Sequence, residues 1–77
     1  MTIDFSSLLP VEERREVLNK RIEQLAAEGY QHHINRLAAQ RNNKPELVTE
    51  ADNAMRELAT VIETYQQELN SLPPAKG

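Results

Sequence analysis

Residues 45–72 read PELVTEADNAMRELATVIETYQQELNSL. Within them Val48, Ala51, Met55, Leu58, Ile62, Tyr65, Leu69 and Leu72 follow one another in alternating steps of three and four. This is a heptad seam with nothing out of register. It predicts one long helix that lays a narrow apolar stripe against another helix. Pro45 suits the first helical position, where a missing N–H costs nothing. Thr49-Glu50-Ala51-Asp52 also resembles a capping box, with Asp in place of the usual Glu, so the start lies at 45 or near 50. The run Ala54 to Ala59 consists of strong helix formers. Pro73 and Pro74 cannot continue the helix, which ends it near residue 71 and leaves 73–77 as a tail.

Working outward from this stretch, Asn42-Asn43-Lys44-Pro45 reads as a turn. Asparagine tolerates left-handed backbone geometry, and Pro45 pushes Lys44 away from helical angles. Upstream, residues 10–42 read as a first helix. Pro10 fits its first position, and Glu12 and Glu13 complement the positive end of the helix dipole. A short connection between two long helices makes an antiparallel hairpin. The expected fold is therefore all-α: an antiparallel two-helix hairpin, coiled-coil-like, that dimerises into a four-helix bundle. Residues 1–9 form an apolar N-terminal arm ahead of it.

The first helix is less regular. Its stripe begins Val11, Leu18, Ile22, Leu25, and a heptad would continue through Gly29, His32 and Arg36, a poor seam. The apolar residues move sideways instead, to Ala26, Tyr30, Ile34, Leu37 and Ala38. The spacing Ile22, Ala26, Gly29, His33, Leu37 approaches an eleven-residue pattern, which predicts a local stutter that unwinds the supercoil. The region of Gly29, Tyr30, His33, Ile34 and Leu37 is thus expected to meet a second neighbour from another chain. Glycine inside a helix costs roughly 1 kcal/mol relative to alanine. Close backbone approach at a helix crossing is the expected compensation at Gly29.

Composition narrows the function. The chain has 77 residues and no cysteine, so it is one domain without disulfides or thiolate metal sites. So short a chain is marginal alone and needs tight helix packing or self-association. No run approaches the roughly 18 apolar residues of a membrane span, and no signal peptide is visible. A cytoplasmic protein is expected. Residues 10–42 carry six basic and five acidic side chains, whereas residues 45–72 carry one basic and six acidic. The halves, at +1 and −5, favour each other as neighbours.

Little catalytic chemistry is in reach. There is no cysteine nucleophile, no glycine-rich phosphate loop and no strand-turn-helix serine motif, so no catalytic or cofactor-binding residue is assigned. His32 and His33 point about 100° apart on a helix and do not chelate one ion together. Their spacing to Glu28 differs from the inward Glu-x-x-His of di-metal bundles, and no metal ligand is assigned. Arg14, Arg15, Lys20 and Arg21 cluster on the first helix, and Arg36, Arg41 and Lys44 lie near the turn. Interleaved glutamates and a pI of about 5.3 make this a salt-bridge-laced surface before a nucleic-acid stripe. In the arm, Phe5, Leu8 and Leu9 stand at i, i+3 and i+4. That is the spacing of a short amphipathic turn, which either folds back over the hairpin end or docks on another protein.

The segments Leu25-Ala26-Ala27-Glu28-Gly29-Tyr30-Gln31-His32 and Thr64-Tyr65-Gln66-Gln67-Glu68-Leu69 resemble small accessory proteins encoded by actinobacterial bacteriophages. The resemblance implies a virion-associated or host-takeover role and transfers no functional residue. The residues themselves point to a non-enzymatic protein–protein interaction module: a small oligomerising adaptor, inhibitor or assembly factor. Its expected partners are a second copy of the chain and a protein target. A nucleic-acid-associated regulator is the alternative. Its interface is expected at Phe5, Leu8, Leu9, Gly29, Tyr30, His33, Ile34 and Leu37. Its core is expected at Leu18, Ile22, Leu25, Met55, Leu58, Ile62, Tyr65 and Leu69.

Replacing Ile62 with Asp places an unpaired charge in that seam, a costly burial. Circular dichroism and size-exclusion should show lost helicity or lost assembly. A variant with wild-type spectrum and size would contradict the seam assignment.

Overall fold

A computed structural model describes residues 2–74. Helix α1 spans Val11–Arg41 and helix α2 spans Pro45–Ser71. They run antiparallel against each other along their length, an all-α helical hairpin. Residues 75–77 of the expected tail lie outside the described residues, as does Met1 of the arm.

Both helix starts follow from proline. Pro10 takes the N-cap position of α1, with φ −57° and ψ 156°, one residue before the place expected for it. Its carbonyl accepts the N–H of Arg14 at 2.9 Å, the first bond of the helical ladder. Pro45 is the first residue of α2, after Lys44 as N-cap. The second possible start near Thr49 is not used: the Thr49 hydroxyl donates to the Pro45 carbonyl at 3.2 Å, inside the helix.

The turn is a Schellman closure. Asn43 adopts φ 54°, and its N–H donates to the Gln40 carbonyl at 3.2 Å. The Lys44 N–H reaches back to the Ala39 carbonyl at 2.9 Å. These bonds satisfy carbonyls that a helix end leaves orphaned. Asparagine is one of the few residues other than glycine that accepts left-handed geometry readily.

The α1 stripe corrects one expectation. The residues withdrawn from solvent on α1 include Val11, Arg15, Leu18, Ile22, Leu25, Gly29, His32, Arg36 and Ala39. They alternate in steps of four and three from end to end. The heptad phase therefore continues through the poor positions, and the expected stutter is absent from the α1–α2 contact. One straight partner with a strict heptad holds α1 in the same phase. The polar positions are accommodated locally. Arg36 Nε donates to Asp52 Oδ1 at 2.6 Å across the helices, a half-exposed pair worth about 1 kcal/mol at most. Near the turn, Ala39 and Ala51 are both buried, and their small size lets the helices close.

The open end is tied as well. Leu72 is buried, and the Arg15 guanidinium donates to the Pro73 carbonyl. Arg15, half-buried on the seam side of α1, thus holds the segment after α2.

The result is one layer. The Cα radius of gyration is 16.9 Å, against roughly 11.5 Å for a compact chain of this length. The accessible surface is 6257 Å², against roughly 4,800 Å² for a compact monomer of this mass. Only Leu25, Ala39, Ala51 and Leu72 are buried among the described residues. Leu18, Ile22, Met55, Leu58, Ile62, Tyr65 and Leu69 line the seam but are only half-buried.

Gly29 also departs from expectation. A Cβ built there meets only the Leu58 side chain, at 4.0 Å, an ordinary van der Waals contact. Close backbone approach does not require this glycine. Gly29→Ala should therefore stabilise the hairpin by about 1 kcal/mol, raising the thermal midpoint by roughly 4–8 °C. A lower midpoint in a circular dichroism melt would refute this packing.

Candidate interaction surface

The arm is built around Asp4. Its Oδ1 accepts the Ser6 N–H at 3.0 Å and the Ser6 hydroxyl at 2.6 Å. Its Oδ2 accepts the Ser7 hydroxyl at 3.0 Å. This Asx turn bends the chain at Phe5–Ser7. Arg14 then clamps the turn to α1, donating from Nε to the Leu9 carbonyl at 2.8 Å and from Nη1 to the Ser6 carbonyl at 3.1 Å.

These polar bonds place the apolar side chains outward. Phe5 is 78% exposed, Ile3 61% and Leu8 60%. The arm does not fold over the hairpin end as a hydrophobic cap, because Leu72 and Arg15 already close that end. Phe5, Leu8 and Leu9 instead form an apolar knob in solvent, held by hydrogen bonds that do not depend on burying it.

The second expected surface lies on α1. Tyr30 is 66% exposed, and Ile34, Leu37 and His33 are exposed with it. The rings of Tyr30 and His33 lie 6.1 Å apart, tilted by 39°. Gly29 is not part of this surface. It is half-buried, and its missing side chain would point at Leu58 of α2. Ala26 and Ala27 are exposed beside Tyr30 and widen the patch.

Sequence reading missed a second set of exposed apolar residues: Val17, Leu47 and Val61. Val17 and Val61 fall outside both helix stripes, so periodicity gave no reason to single them out. Leu47 joins His32, Asn35, Glu50 and Ala54 along a groove of about 580 Å³ between the helices near the turn. Its walls mix amide, carboxylate and imidazole groups with small apolar ones.

Most arginines are engaged within the chain. Besides Arg14, Arg15 and Arg36, Arg21 donates to Gln24 at 3.1 Å and Arg56 to Asn53 at 3.3 Å. The side chains of Lys20, Arg41 and Lys44 make no hydrogen bond or ion pair among the described residues. His32 lies in the inter-helix seam and His33 faces outward. Among the described residues no three histidine, aspartate or glutamate side chains converge on one point. No described helix is long and apolar enough to cross a membrane.

The arm carries a pH signature. The Ser6 hydroxyl and N–H, followed by the Ser7 hydroxyl, hold the Asp4 carboxyl below its ordinary value. A depressed carboxylate stabilises its turn above the unfolded value and loses that contribution as pH falls through the folded one. Acidification below the usual carboxylate range should release Ser6 and Ser7, and Asp4→Ala should do so at neutral pH. Amide chemical shifts of Ser6 and Ser7 followed by NMR would show it. Shifts that ignore both changes would rule the turn out.

Comparison with protein-family models, with curated proteins and with solved structures finds no match to this chain.

Proposed function

We propose that the chain is a small non-enzymatic protein–protein interaction module, an oligomerising adaptor, inhibitor or assembly factor that pairs with a second copy. The one-layer architecture, with its excess of exposed surface, carries this reading. Two helices in one layer leave Ile22, Met55, Leu58 and Ile62 only half-covered. The surface exceeds that of a compact monomer by roughly 1,500 Å², more than the roughly 800 Å² each partner contributes to a standard interface. Covering apolar surface yields about 25 cal/mol per Å², so pairing is the direct way to stabilise so thin a molecule. A four-helix assembly of two hairpins does this.

The arm then serves as the second contact. Phe5 and Leu8 project from a turn already ordered by Asp4 and Arg14, so little conformational entropy is lost when they enter a groove on a target. An inhibitor or assembly role also suits the phage setting implied by the resemblance. The alternative, nucleic-acid binding, draws less support. Lys20, Arg41 and Lys44 do not make a continuous basic stripe, and the chain has net charge −3.

Light scattering coupled to size exclusion should give twice the 8.8 kDa chain mass. The thermal midpoint should rise with protein concentration, as mass action requires of a folded dimer. Monomer mass and a concentration-independent midpoint would exclude the dimer.

A further inference from the structure

α1 carries two heptad seams. The first, from Val11 to Ala39, is occupied by α2. The second lies about 140° around the helix at 100° per residue. It reads Glu23, Ala27, Tyr30, Ile34, Leu37, Arg41, in steps of four, three, four, three and four. All six side chains are exposed. Neither Glu23 nor Arg41 makes a side-chain hydrogen bond or ion pair among the described residues. An apolar seam with opposite charges at its two ends has nothing within the chain to meet.

The seam is complementary to itself, but in one direction only. We propose that α1 pairs through it with α1 of a second copy, antiparallel, about a two-fold axis at the level of His32. Tyr30 then meets Ile34 of the partner subunit, and Ala27 meets Leu37 of the partner subunit. Glu23 meets Arg41 of the partner subunit. Each contact occurs twice by symmetry, and positions reached by three-steps face positions reached by four-steps. A parallel arrangement would set Glu23 against Glu23 and Arg41 against Arg41, which repel.

This inference rests on the dimer reading and specifies its face and direction. The charge of α2 disfavours α2 itself as the dimer face. α2 carries six acidic side chains and only Arg56 as a base, so two α2 helices repel. The α1 seam lies well around from α2, and pairing through it keeps the α2 helices on the outer flanks. The competing arrangement stacks α1 on α2 of the partner subunit with both turns at one end. It covers Met55, Leu58 and Ile62 but leaves the Tyr30 seam, with Glu23 and Arg41, unmatched.

Charge exchange tests the register. Glu23→Arg and Arg41→Glu each replace two attractive contacts by two repulsive ones and should weaken dimerisation about tenfold in sedimentation equilibrium at low salt. The double variant E23R/R41E should return to within about threefold of wild type, and high salt should level all four proteins. Both positions are exposed, so helicity by circular dichroism should stay constant. In the otherwise unchanged dimer, spin labels at Asn42→Cys should lie about 30 Å apart or more, from twenty residue rises along the paired helices. Labels well under 20 Å apart would place the turns at one end and overturn the proposal. A stable dimer whose single variants do not weaken, or whose double variant is not restored, refutes this register while the dimer itself stands. A monomeric wild-type chain refutes both.

Discussion

The contact between the stripe of α2 and the facing stripe of α1 is the interaction on which the rest depends. It is the sole packing between secondary-structure elements in the described molecule, and it is one side chain deep. α2 supplies Val48, Ala51, Met55, Leu58, Ile62, Tyr65, Leu69 and Leu72 in unbroken heptad phase. α1 must present a matching phase or lose contact. It does so even where its residues are poor for the purpose, at Gly29, His32 and Arg36. The Arg36–Asp52 pair shows how this is tolerated: the guanidinium is satisfied at the edge of the seam, where water still screens it, and no charge is fully buried.

The two ends of the hairpin use backbone carbonyls to keep that contact in register. At the turn, Asn43 and Lys44 satisfy the carbonyls of Gln40 and Ala39. At the open end, Arg15 reaches the Pro73 carbonyl, and Leu72 is buried. Because both ends are closed by hydrogen bonds, the apolar arm is not needed as a lid. Phe5 and Leu8 are consequently free to stand in solvent on a turn that Asp4 and Arg14 organise.

One layer of helix cannot shield both sides of its own seam. That geometric fact links the fold to the proposed role. The half-buried seam, the exposed second stripe of α1 and the arm all expose apolar groups, and the proposed role would set another protein surface against them. They differ in what they ask of it. The stripe from Glu23 to Arg41 is self-complementary, whereas the arm is a compact knob suited to a groove of a different shape.

The helices, their lengths and the turn were legible in the residues, because heptad spacing, proline and asparagine act over a few neighbours. The exposed apolar face of Tyr30, Ile34 and Leu37 was legible for the same reason: it breaks the stripe. What periodicity could not settle was whether α1 would keep strict heptad phase against α2. The apolar residues that move sideways around Gly29 gave the expected stutter. Tertiary packing kept the strict phase, because the fixed phase of α2 rewards continuity along the whole length more than the best residue at each step. Likewise, only the structure shows that Gly29 has room for a methyl group and that the arm turns outward. Both depend on distances across the hairpin, which no local pattern in the chain encodes.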